Sequence, residues 1–217
     1  MRIFGIILFV VGISLAGYSF FEWNVGRSSS EALTQKEIQH YEVKEKENVN
    51  QQNTVKKQEN PNEDVKLEQI DSKSPEKMED YNYDKGQKVA NLVIPKLELK
   101  YSVYWGTDAD TLKRGVGMFV SDLTTTPSGK GHTVLSGHRD TVFTRLGELK
   151  LGDKLIVEFD SKLYEYQIKK IWITHKEDRT VIVSKNKPTL TLTTCYPFDM
   201  IGKAPDRYII EAEMIDN

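Results

Sequence analysis

The strongest constraint on this chain is an uncharged run of 19 residues, IFGIILFVVGISLAGYSFF at positions 3–21. A helix needs ~20 such residues to cross the hydrocarbon core of a bilayer, so this run is set apart from the polar sequence that follows. Two readings fit it: an uncleaved membrane anchor, or a signal peptide cut at an A-x-A-like site near Ser14 and Ala16. The run continues through Tyr18, Phe20 and Phe21 to Trp23, as aromatic residues do at a membrane interface, which favours an anchor over residues 1–23. Arg2 then stays on the cytoplasmic side, and everything after Trp23 lies outside.

Residues 24–85 change character, with Glu, Lys, Gln and Asn dominating and apolar side chains scattered. Such a stretch buries too little apolar surface to offset chain entropy and reads as an extended charged linker. A flexible coil of about 60 residues spans on the order of 45 Å, enough to lift a domain off a membrane. Within it, EALTQKEIQHYEVKEKE has helical character behind a possible capping box, Ser28-x-x-Glu31.

The folded domain is therefore expected within 86–217. Short apolar runs punctuated by Gly, Pro and Asp predict strands at 89–95, 99–105, 132–138, 153–159, 162–174, 180–183, 188–195 and 207–215. Only 108–117 and 141–149 carry a helical pattern, and neither is long enough to cover a parallel sheet. The fold class is thus all-β, a single closed eight-stranded antiparallel barrel. A net charge of −2 argues against a nucleic-acid-binding surface.

The chain has one cysteine, Cys195, in TLTTCYPFD. It can form no internal disulfide, and no Cys/His spacing suits structural zinc. Leu190 and Leu192 alternate with threonines, so Thr194 faces inward and Cys195 shares the other face with Thr191 and Thr193, at the strand's end. A lone cysteine is ordinarily a small buried hydrophobe. His138 closes HTVLSGH and Arg207 opens RYII, also at strand boundaries, where each alone is an unremarkable surface residue. Together they supply a soft nucleophile, a proton donor and a fixed cation, the three types that peptide acyl transfer requires.

These residues also carry a resemblance. TLTTC resembles the TLxTC signature of the sortase family, and GHTVLSGHRD and RYII resemble its histidine and arginine segments. The IPKLELKYSVYWGT opening of the domain resembles the family too, and YPFDMIGKAPDRY after the cysteine is most like class D, with class A the near alternative. The resemblance implies a sortase-type β-barrel with Cys195 as nucleophile, His138 as general acid/base and Arg207 as substrate-positioning and oxyanion donor. Thr194, His132 and Asp140 are supporting candidates: Thr194 beside the nucleophile, His132 on the strand face of His138, Asp140 as a group that could orient His138. The implied reaction is cleavage of an LPxT-type sorting signal after Thr through a thioacyl enzyme, resolved by a peptidoglycan-precursor amine at the outer face of a Gram-positive membrane. LPxT-containing surface proteins are then the partners. No compact acidic cluster suggests calcium, and no cofactor is expected. Two alternatives stay open: a secreted cysteine peptidase, and a tethered β-barrel binding module in which Cys195 is structural.

Overall fold

The computed structural model describes residues 2–28, 30–39, 41, 78–199, 202 and 204–215. The apolar run forms one helix, α1 (Arg2–Ser28). Its Phe4–Phe21 window is long and apolar enough to cross a membrane, and the described side chains there are exposed.

The strands that follow are β1 (Ser30–Ala32), β2 (Lys88–Ile94), β3 (Leu99–Trp105), β4 (Val116–Met118), β5 (His132–Ser136), β6 (Lys154–Phe159), β7 (Lys162–His175), β8 (Thr189–Tyr196) and β9 (Asp206–Met214). A six-residue helix, α2 (Ala109–Arg114), links β3 to β4. Asp108 caps it, accepting from the Thr111 amide at 3.1 Å. Round the barrel the order is β3-β2-β6-β7-β9-β8-β5-β4, and β4 pairs back onto β3 to close eight strands. Alternation builds the interior: Leu92 and Ile94, Tyr101, Val103 and Trp105, and Leu155, Val157 and Phe159 all point into one core.

Several expectations need correction. The barrel is mixed, because β3–β4 and β5–β8 pair in parallel. The α2 crossover returns β4 in the direction of β3, and the β6–β7 excursion does the same for β8 beside β5. TVIV at 180–183 is loop, and β4 takes its place as the eighth strand. Residues 141–149 form turns and a short 3-10 segment (Leu146–Glu148) rather than a helix. Their apolar spacing has another cause: Val142, Phe143, Leu146 and Leu149 plug the core from its end.

Residues 30–41 fall in the stretch read as linker, yet the described ones are folded onto the barrel. Strand β1 pairs antiparallel with β3, Ser30 opposite Tyr101 and Ala32 opposite Leu99. It covers the part of the β3 edge that β4, paired from Val103 onward, leaves open. The capping box is Thr34-x-x-Glu37: the Thr34 amide donates to Glu37 Oε2 at 2.9 Å, and the Glu37 amide donates to Thr34 Oγ1 at 3.3 Å. Leu33 and Tyr41 then bury against Val93 and Ile156 on the outer face of β2 and β6. The Tyr41 hydroxyl donates to Glu158 Oε1 at 2.6 Å, and Lys100 pairs with the same carboxylate at 2.8 Å. Residues 78–85 of the expected linker also fold onto the barrel, with Met78 buried in its core and Tyr81 and Tyr83 packed against it, whereas 42–77 lie outside the described residues.

Candidate active site

Strand register assembles the site. β8 pairs with β9 so that Cys195 stands directly opposite Arg207; Cβ atoms of such pairs lie roughly 4.5–5.5 Å apart. β5 runs beside β8 with Ser136 opposite Thr193, which delivers Gly137 and His138 next to Thr194 and Cys195. Two hydrogen bonds lock that junction: the Gly137 amide donates to Thr193 O at 3.2 Å, and Thr194 Oγ1 donates to Gly137 O at 2.7 Å. Gly137 is required by space, because a Cβ there would stand 2.7 Å from Val142 Cγ2 and 2.8 Å from Phe143 Cδ2.

Cys195, His138 and Arg207 all line one groove of about 400 Å³. Cys195 is a half-buried free thiol. Arg207 Nη1 donates to Asp206 O at 2.9 Å, which steadies the guanidinium and leaves Nε and Nη2 without partners among the described residues. Apolar lining comes from Leu112 of α2, Phe119 after β4, and Val181 and Ile182 of the β7–β8 loop. Polar lining comes from Thr174, His175, Lys176 and Asp178, at the end of β7 and the start of the β7–β8 loop. Hydrogen bonds from the Thr174 and Thr180 hydroxyls and the Thr180 amide hold the Asp178 carboxyl down to about 2, so it stays ionised and anchors the start of that loop.

The supporting candidates separate. Thr194 does face inward and is buried, and its hydroxyl proton is committed to Gly137 O; it supports the backbone that carries His138. Asp140 is exposed and lies outside the groove lining. His132 is buried outside the groove, with Nδ1 2.7 Å from Val183 O and Nε2 2.7 Å from Thr191 Oγ1. Burial holds its pKa below the ordinary histidine value, with Lys185 nearby adding to the effect.

Two residues escape a reading of the sequence. His175 lines the groove, although its place in the chain suggests only a solvated loop; the length of β7, which carries it beside Asp206, is what brings it there. Arg139 is buried beneath the turn after the nucleophile, its Nη1 donating to Pro197 O and Nη2 to Gly202 O, each at 2.8 Å. The same turn packs Tyr196 and Phe198 on Tyr208, with ring centroids 6.1 and 5.1 Å from it. Among the described residues, no group of three or more His, Cys, Asp or Glu side chains is placed to hold a metal ion.

Comparison with known proteins gives one answer. The sortase-domain family model matches residues 92–215. Sortase D of Bacillus subtilis (strain 168) is 44% identical over 131 residues, covering 60% of this chain and 65% of that protein, just under two thirds of its length. The catalytic domain of B. anthracis SrtD is 68% identical, with a TM-score of 0.56 over 63% of this chain and 92% of that one. A Clostridium perfringens sortase C solved with the C-terminal cell wall sorting motif is 28% identical, with a TM-score of 0.53 over 63% of this chain and 75% of that one.

Proposed function

Because this chain belongs to the sortase family, as a class D member, we propose that it is a membrane-anchored cysteine transpeptidase that cleaves an LPxT-type sorting signal after Thr and transfers the protein to a cell-wall amine. The observation that carries this reading is the register that sets Cys195 opposite Arg207 and brings His138 into the same groove.

In that reading the Cys195 thiolate attacks the carbonyl carbon of the signal's Thr, forming a C–S bond and a tetrahedral oxyanion. The N–H groups of Arg207 that have no partner among the described residues offer donors to that charge. Collapse breaks the C–N bond, and His138 gives its proton to the departing amine. An incoming amine then attacks the thioacyl carbonyl, returns a proton to His138 and releases the Cys195 thiolate. The apolar lining of Leu112, Phe119, Val181 and Ile182 suits the Leu and Pro of the signal. The acceptor is an amine of a peptidoglycan precursor, and the donors are LPxT-containing surface proteins. The apolar helix α1 is the single-pass anchor, with the barrel on the outer side.

The test is product analysis of an LPxT peptide with and without an amine. The transpeptidase reading predicts amine-capped peptide, unchanged by a chelator. Hydrolysis whatever the amine would instead mark a cysteine peptidase, and a large calcium stimulation would overturn the metal-independent mechanism.

A further inference from the structure

The β7–β8 loop supplies Lys176, Asp178, Val181 and Ile182 to the groove's lining, yet residues 180–188 form no strand or helix that would hold its shape. What lies beneath it is a histidine. His132 is 1% exposed, and both of its ring nitrogens are engaged at 2.7 Å. A backbone carbonyl only accepts, so Nδ1 must carry the proton given to Val183 O. In the neutral ring Nε2 then has the lone pair, and the Thr191 hydroxyl donates to it. One tautomer satisfies both bonds.

The geometry ties two parts of the site together. Val183 directly follows Val181 and Ile182, the loop's apolar wall residues in the groove lining. Thr191 lies on the outward face of β8, four residues before Cys195. The imidazole is therefore a bridge between the wall and the strand that carries the nucleophile. A further pin lies alongside, where Lys185 Nζ donates to Glu211 Oε2 of β9 at 2.6 Å.

We propose that His132 is a positioning residue: as a neutral Nδ1–H imidazole it fixes the β7–β8 loop as a rigid wall and sets that wall's distance from Cys195. This inference rests on the transpeptidase reading for its activity test, but its structural core does not. The charged groups facing the ring are Lys185 from the loop and Glu211 from β9; Thr191 of β8 is uncharged. A second proton on Nε2 would force the Thr191 hydroxyl to turn and would place a buried cation near Lys185. The folded pKa lies below the unfolded one, so the pin is fully present above the ordinary histidine value and is lost as pH falls through the lower folded value.

The experiment uses the full chain in detergent micelles and compares wild type with His132→Phe and His132→Asn. Phe keeps the volume without either hydrogen bond, whereas Asn keeps a donor within reach of Val183 O. The inference predicts that His132→Phe raises KM for an LPxT peptide about tenfold, with kcat changed less than about threefold, and that Asn restores most of the loss. Trypsin should cut His132→Phe after Arg179 and Lys185 faster than wild type, and 15N imidazole spectra of wild type should show a protonated Nδ1 and an unprotonated Nε2 at neutral pH. Equal KM and equal cleavage in a folded His132→Phe, or a wild-type ring protonated at both nitrogens, would overturn it. Should wild type fail to turn over any LPxT peptide, the functional reading falls, while the trypsin and imidazole results still decide the pin. If His132→Phe does not fold, Thr191→Val, which removes the Nε2 partner alone, takes its place in the trypsin assay and must show faster cleavage.

Discussion

At the residue scale, the site depends on a backbone without a side chain. Gly137 sits between the end of β5 and His138, and an added methyl would meet Val142 and the Phe143 ring, both within the packed core. Neither neighbour is the free end of a flexible chain, so His138 must move instead. Gly137→Ala is expected to lower kcat/KM on the order of 100-fold, since displacements of about 1 Å cost that much at an acyl-transfer site, and to destabilise the fold by about 1–3 kcal/mol. A peptide-transfer assay with a thermal melt checks both. The meeting of Cys195, His138 and Arg207 in one groove was legible from sequence to the extent that strand periodicity put each at or next to a strand end. Arg139 and the bridging role of His132 were not, since their partners, Pro197, Gly202 and Val183, are backbone carbonyls that leave no trace in residue type.

At the element scale, seven of the barrel strands follow from alternation, and the errors have one cause. Apolar spacing reports burial without saying what shape buries it. Val142, Phe143, Leu146 and Leu149 have the spacing of a helix face but reach the core from turns, and Val116 and Met118 form a three-residue strand too short to show a period. The segment 30–41 was missed for a related reason: two buried residues, Leu33 and Tyr41, hold it, too few to lift a charged stretch above a linker's composition. Its grip is testable. Burial of Glu158 raises its pKa, but hydrogen bonds from Lys100, Tyr41 and Asn91 outweigh that and leave it below the ordinary Glu value. Its contribution is therefore complete above about pH 4.3 and is lost as pH falls through the lower folded value. Tyr41→Phe removes one donor to this carboxylate and should lower stability by about 1–2 kcal/mol at neutral pH. The difference from wild type should shrink below about pH 4, as measured by denaturant unfolding, and a constant difference across that range would assign it to packing alone.

At the scale of the whole molecule, the docked segment changes how the parts relate. Helix α1 ends at Ser28, and Ser30 is already paired to the barrel. A linker of about 60 free residues would let the domain range over tens of ångströms, but the barrel is tied to the chain at Ser30, two residues after the end of the apolar helix. In the proposed membrane setting this holds the groove close to the bilayer, where both the sorting signal and the acceptor amine would be presented. The central claim remains chemical: Cys195 is acylated, and an amine resolves it. The most direct test incubates the full chain in detergent micelles with LPxTG-like and LPxTA-like peptides and follows the mass of the intact protein before and after an amine is added. The account predicts a thioacyl adduct on Cys195 that disappears into an amine-linked product and is absent from Cys195→Ala; intact peptide with no adduct from either signal would contradict it.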